Sequence, residues 1–197
     1  MKKNFFIIIF LIFAFTQKSF GYSSDPKQFI TEIVNEAKKI LVATNTKEFK
    51  SIKLSEMALK TVDIKGVAYY SLGNYRKQLT DEQLKEYLTL FEKYFLKSFT
   101  SRLADYSDPK INVLSTEVLN EKYTIVKSVL LATDKRPEVK IEWRVYTKNP
   151  DKPLIRDLII EGLSLARTQK EEFASVIETN NGDINKLFIT LKEFTAK

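Results

Sequence analysis

Apolar positions along this chain change period twice. From Asp25 to Leu103 they recur every three or four residues, as on one face of a helix. From Ile111 to Glu161 they alternate or run in short blocks, as in strands, and after Gly162 the helical spacing returns. Asp25-Pro26 reads as a helix start, because the carboxylate can accept from free N–H groups of the first turn and proline at the first helical position gives up a donor that had no partner. Phe29, Ile30, Ile33, Val34, Ala37, Ile40 and Leu41 then make one stripe, ending near Ala43. Residues 46–60 predict a second helix, and a shorter one over 64–72 stops at Gly73. The clearest helix runs from 82 to about 106: Thr80 and Gln83 form a capping-box pair, and Tyr87, Phe91, Phe95 and Phe99 place an aromatic at every fourth position.

Segments 111–119, 122–133, 138–147 and 154–161 predict strands joined by short polar turns. In the third, Val139, Ile141, Trp143 and Val145 alternate with Glu138, Lys140, Glu142 and Arg144, giving one apolar and one wet face. Helix is expected again over 163–179 and 183–194, broken at Asn180-Asn181-Gly182. The pattern is that of an α+β fold, a curved antiparallel sheet of about four strands packed against helices on one face.

The amino terminus adds a destination. Met1-Lys2-Lys3-Asn4 precedes an eleven-residue apolar run from Phe5 to Phe15. That length lies within the roughly 7–15 residues of a signal-peptide core and short of the about 20 that span a bilayer. Small residues at Ser19 and Gly21 place the expected cleavage after Gly21, so 1–21 is read as a cleaved signal peptide and 22–197 as a single domain. An uncleaved anchor is the alternative, and it would need a longer apolar run. Three lysines leave with the signal, so the formal charge falls from +7 to +4. This mild excess favours anionic surfaces but is no nucleic-acid footprint, and export removes nucleic acid as a partner.

Neither Cys nor His occurs in the chain. Disulfides, thiolate nucleophiles, Ser-His-Asp triads and zinc sites built on His or Cys are therefore excluded, and the fold must hold by packing. No phosphate-cradling glycine loop and no G-x-S-x-G element is present. No catalytic residue, metal or cofactor is expected.

Two stretches carry a family resemblance. Leu72-Gly73-Asn74-Tyr75-Arg76, followed by Gln83, Tyr87, Phe91, Phe99 and Tyr106, is the first. Asp157-Leu158-Ile159-Ile160-Glu161-Gly162-Leu163-Ser164-Leu165 is the second, with Phe173 and Gly182-Asp183-Ile184…Leu187 following. The set resembles the MlaC family, the toluene-tolerance auxiliary proteins, over nearly all of the chain after the signal. Pro153 stands where many members carry Trp, Thr168-Gln169-Lys170 where many carry Asn-Tyr-Arg, and Tyr75 where Trp is commoner. The resemblance implies a periplasmic phospholipid carrier with a nuclear-transport-factor-like fold and an apolar pocket between sheet and helices. It also implies maintenance of outer-membrane lipid asymmetry, with an outer-membrane lipoprotein complex and the lipid-binding subunit of an inner-membrane ABC transporter as partners. A monomer is expected.

Carrying lipid needs a dry hollow and no reaction. Burying a pair of long acyl chains gains on the order of 25 kcal/mol at about 0.8 kcal/mol per methylene, and a bilayer offers nearly the same, so transfer can be balanced. The lipid-binding candidates are Phe91, Phe95 and Phe99 on the long helix, Val139, Ile141, Trp143 and Val145 on the third strand, Ile155 and Ile159 on the fourth, and Leu163 after Gly162. Ordinary core packing would use the same residues. Arg76, Lys77 and Glu161 are candidates for a partner or headgroup contact, while Ser164 reads as a helix cap and Gly73 and Gly162 as turns. Two other classes stay open: a secreted enzyme using Asp157 as a buried acid with Tyr123 or Tyr146 as donor, and a secreted protein-binding adaptor with a shallow groove.

Overall fold

Side-chain caps set where the helices begin. In a computed structural model that describes residues 21–104, 108–134 and 136–196, α1 (Pro26–Val42) starts under Asp25, whose carboxylate accepts from the Gln28 N–H at 2.8 Å. Thr46 caps α2 (Lys47–Thr61) and Asp63 caps α3 (Ile64–Leu72), accepting from the Phe49 and Gly66 N–H groups. A 3-10 turn (Gly73–Gln78) follows, entered through Gly73 at φ 57°, a left-handed conformation that a side chain disfavours. The expected capping box opens α4 (Asp81–Leu103): Thr80 and Gln83 each accept from the other's backbone N–H. Residues 1–20 of the expected signal peptide and Tyr106 lie outside the described residues.

The sheet is antiparallel, its strands adjacent in chain order: β1 (Ile111–Asn120), β2 (Tyr123–Leu130), β3 (Val139–Tyr146), β4 (Leu154–Ile160) and β5 (Leu163–Ser164). The two-residue β5 extends the expected sheet of about four strands. Leu163 and Ser164 pair with Ile160 and Ile159 instead of opening a helix, and Ser164 then caps α5 (Leu165–Glu178), accepting from the Arg167 N–H at 3.1 Å. α6 (Ile184–Ala196) closes the described chain. Between β4 and β5, Glu161 (φ 49°) and Gly162 (φ 82°) both take positive φ, as a two-residue turn matched to strand twist requires.

A bulge in β4 decides which side chains share a face. Val145 pairs with Ile155 and Arg144 with Asp157, so Arg156 is an extra residue and the alternation flips across it. Directly paired residues lie on one face. Val126, Trp143, Val145, Ile155, Leu158 and Ile160 therefore line the inner face, while Ile125, Arg144, Asp157 and Ile159 line the opposite one.

Two apolar clusters hold the elements. One joins α3, α4, α5 and α6 through Leu72, Tyr87, Phe91, Phe173, Ile177, Leu187, Phe188 and Leu191. The other packs α1 and α2 on the inner face through Phe29, Ile30, Leu54, Met57, Val126, Val145 and Ile155. Each such side chain, fully buried, contributes about 1.5–3 kcal/mol of transfer free energy. α4 belongs to both: Phe91 is inside the first cluster and Phe95 packs against it, while Phe99 and Leu103 pack against the second.

Candidate functional site

The ten residues expected to meet lipid divide into four groups. Phe91, Val145 and Ile155 are buried core, at 1%, 0% and 6% exposure. Phe95, Phe99, Trp143, Val139 and Ile141 are partly or almost fully buried on the facing surfaces of α4 and the inner sheet face. Leu163 also lies on the inner face, opposite Ile160, but is 59% exposed at the sheet's edge. Ile159 leaves the set. It pairs with Glu142 on the opposite face, because the Arg156 bulge shifts the register that strict alternation from Ile155 would give.

The same bulge puts two unforeseen residues in its place. Leu158 pairs with Trp143 and Ile160 with Ile141, so both line the inner face. Val139, Ile141, Leu158, Ile160 and Leu163 then form an apolar strip that belongs to neither core cluster. Opposite Ile141 on β2, the buried Ser128 hydroxyl accepts from the Trp143 indole N–H at 2.8 Å. Across from the sheet, α4 presents a ladder of rings: Phe91 and Phe95 stack at 6.2 Å and 23°, Phe95 and Phe99 at 5.9 Å and 8°. Phe99 and Trp143 pack on the same cluster, which brings the ladder's end to the head of the strip.

Two clefts of about 350 and 370 Å³ open elsewhere. One lies on the opposite face among Gly66, Tyr70, Leu119, Asn120, Tyr123, Arg144, Arg156, Asp157 and Ala166. The other lies between α3 and α4, with Ile64, Ala68, Leu84 and Leu88 beneath Lys65, Asp81, Lys85 and Glu92. None of the ten candidates lines either cleft.

Asp157 is held as a structural carboxylate. It accepts from the Ser164 hydroxyl at 2.7 Å, the Ala166 N–H at 3.0 Å and Arg144 Nη1 at 3.3 Å, so its oxygens tie β4 to the start of α5. Its imagined donors are also engaged. Tyr123 OH accepts from Arg156 Nη1, and the Arg156 guanidinium lies 3.6 Å from the centre of the Tyr146 ring. Arg156 also pairs with Asp63 at 2.6 Å; burial works against its charge, but the hydrogen bonds to Tyr123 and Asp63 outweigh that and raise its pKa.

The partner candidates lie apart from the strip or are used by the backbone. Glu161 is exposed, and its carboxylate accepts from the Lys140 N–H while its own N–H donates to the Lys140 carbonyl, clamping the β4–β5 turn to β3. Arg76 and Lys77 are exposed in the 3-10 turn, which docks on α5 through Tyr75 OH and Glu178 at 3.2 Å. Among the described residues no group of His, Cys, Asp and Glu could hold a metal ion, and no helix is long and apolar enough to cross a membrane.

The fold is similar to that of a phospholipid-binding protein from Ralstonia solanacearum solved in complex with a phospholipid, with a TM-score of 0.72 at 20% identity over 88% of this chain and 97% of that one. The family model described as MlaC protein matches residues 27–193, a span that begins in α1 and ends in α6 and takes in both sequence signatures. A match of that extent covers every element that builds the inner face and its facing helix, and the chain belongs to the MlaC family.

Proposed function

We propose that this protein binds a phospholipid, its acyl chains entering between the inner-face strip and the ring ladder of α4. The observation that carries this reading is the apolar strip itself, which continues past the packed core to the exposed Leu163. Membership of the MlaC family and the phospholipid found in the similar solved structure support it.

The described clefts lie at the small end of the about 300–1,000 Å³ usual for ligand sites, and two acyl chains need more. Binding therefore requires the Phe99 end of α4 to move away from the second cluster, against which Phe99 and Trp143 both pack. Hydrocarbon chains then replace the side-chain contacts that are lost, so the gap is never filled by water. No bond is made or broken in this role, and the protein acts as a carrier, not an enzyme.

The carrier works in the periplasm after removal of residues 1–21, as a monomer. It passes glycerophospholipid between an outer-membrane lipoprotein complex and the lipid-binding subunit of an inner-membrane ABC transporter, and so maintains outer-membrane lipid asymmetry. Arg76 and Lys77 are available as exposed cations for a partner. The test is extraction of the mature protein, purified without detergent, with organic solvent and mass spectrometry of the extract. Phospholipid near one per protein is the expected result, reduced in Leu163→Glu with unchanged circular dichroism. Protein that is free of phospholipid, or a variant that retains it fully, overturns the reading.

A further inference from the structure

The chain ahead of α1 doubles back along the helix. The Ser23 N–H donates to Glu32 Oε2 at 2.8 Å, and the Tyr22 hydroxyl donates to the carboxylate of Glu36, one turn further on. The Asp25 N–H closes the corner on Ser23 Oγ at 3.2 Å. The Tyr22 ring meets Phe29 edge-on at 5.8 Å and packs against the second core cluster. Tyr22 and Ser23 are half-buried, whereas Gly21 is exposed.

The charge of this contact is unmet. Glu32 and Glu36 stand four residues apart on α1 and repel each other. The bonds they receive come from neutral donors: the Ser23 amide, the Tyr22 hydroxyl and the Gln28 side-chain amide at 3.1 Å. Among the described residues no lysine or arginine pairs with either carboxylate. Lys38 of α1 is paired with Asp108, and Lys50 of α2 donates to the Leu41 carbonyl. Burial raises the Tyr22 hydroxyl well above its ordinary pKa, and the fields of Glu36 and Glu32 add to the rise.

Covalent geometry fixes where a cation can come from. The Tyr22 nitrogen lies under about 4 Å from the Ser23 nitrogen, so it is no farther than roughly 7 Å from Glu32 Oε2, inside the Debye length of about 8 Å. Joined to Gly21 it is a neutral amide. Freed by hydrolysis of that bond it is an ammonium.

We propose that the α-ammonium released at Tyr22 when residues 1–21 are removed completes an ion cluster with Glu32 and Glu36, so that processing locks the start of the domain onto α1. The lock rests on the cleavage after Gly21 proposed above, and it is independent of lipid in the strip.

Intact mass of the exported protein is read first, and a start at Tyr22 is expected. The α-amine of that protein is then methylated with carbon-13 and titrated by NMR. It should titrate above its ordinary range of about 7.7–8.0, because both carboxylates favour the charged form. Glu32→Gln combined with Glu36→Gln keeps the acceptors, removes the charges and should return the amine to that range. A chain with Gly-Ser-Gly-Ser ahead of Tyr22 moves the ammonium away, and its Tm should fall by about 1–3 °C. In the double Gln background the same extension should leave Tm unchanged. A start at another residue overturns both the cleavage and the lock. A start at Tyr22 with an amine in its ordinary range, or an extension whose effect survives in the Gln variant, overturns the lock alone.

Discussion

The indole N–H of Trp143 donates to Ser128 Oγ at 2.8 Å, and the Ser128 hydroxyl donates to the Ile141 carbonyl at 3.2 Å. This relay crosses from β3 to β2 at the head of the apolar strip. It fixes the ring of the chain's one tryptophan against the inner face. Ser128→Ala removes the acceptor and leaves the indole N–H unpaired beside a buried methyl, at a cost of about 1–3 kcal/mol. Urea denaturation should show a lower midpoint with unchanged slope, together with altered tryptophan fluorescence. An unmoved midpoint would mean that the bond contributes nothing.

The bulge at Arg156 gives a paired test of the proposed lipid site. Leu158 and Ile159 are neighbours of similar size, yet they face opposite ways. Leu158→Asn should reduce co-purified phospholipid, because an amide then lies among acyl chains without a partner. Ile159→Asn should leave it near the parent level. Equal losses in both would show that the inner face does not hold the chains.

Tyr87 couples the helical cluster to pH. Its hydroxyl donates to the Ala68 carbonyl at 3.0 Å and lies 3.1 Å from Ser71 Oγ. Burial pushes its pKa well above the ordinary value, only partly opposed by the Ser71 hydrogen bond; burial also raises Tyr22 and Tyr94. The unfolded chain releases these protons near pH 10 while the folded chain keeps them. Stability from this source is whole below about pH 10 and falls as pH rises above it. Tyr87→Phe should cost about 1 kcal/mol at neutral pH and make the alkaline fall shallower, measured by thermal unfolding between neutral pH and the alkaline limit.

Phe91 and Phe95 occupy successive rungs of one ladder but differ in burial. Phe91→Ala leaves a cavity among Tyr87, Tyr94 and Phe173, with an expected loss of about 3–5 kcal/mol. Phe95→Ala should destabilise clearly less and should lower lipid occupancy more. Denaturant midpoints and extracted lipid, measured on the same two variants, separate the roles.

Local signals in the sequence carried through to the structure. Asp25, Thr80 with Gln83, and Ser164 cap helices as read, because a cap is chosen within a few residues of itself. The alternation of β3 was equally legible, since Val139, Ile141, Trp143 and Val145 need only the pleat to share a face. The Arg156 bulge was not. Leu154, Ile155, Leu158, Ile159 and Ile160 are apolar on both sides of it, so no break in polarity marks the slip. Asp157 interrupts that run, but its pairing with Arg144, Ser164 and the Ala166 N–H depends on segments far along the chain or beyond the turn. Likewise, the two-residue β5 is too short for any periodicity, and only its pairing with Ile159 and Ile160 makes it a strand.

The double allegiance of α4 sets how such a protein can take cargo without coming apart. Its front end is bolted among six-membered rings and leucines of the other helices, whereas its rear end lies at the border of the cluster built by α1, α2 and the inner sheet face, with Phe99 and Leu103 only partly buried. A lever with one fixed end can swing while its mounting stays intact. On the proposed reading, taking up a phospholipid would then disturb only one of the two packing blocks that α4 joins.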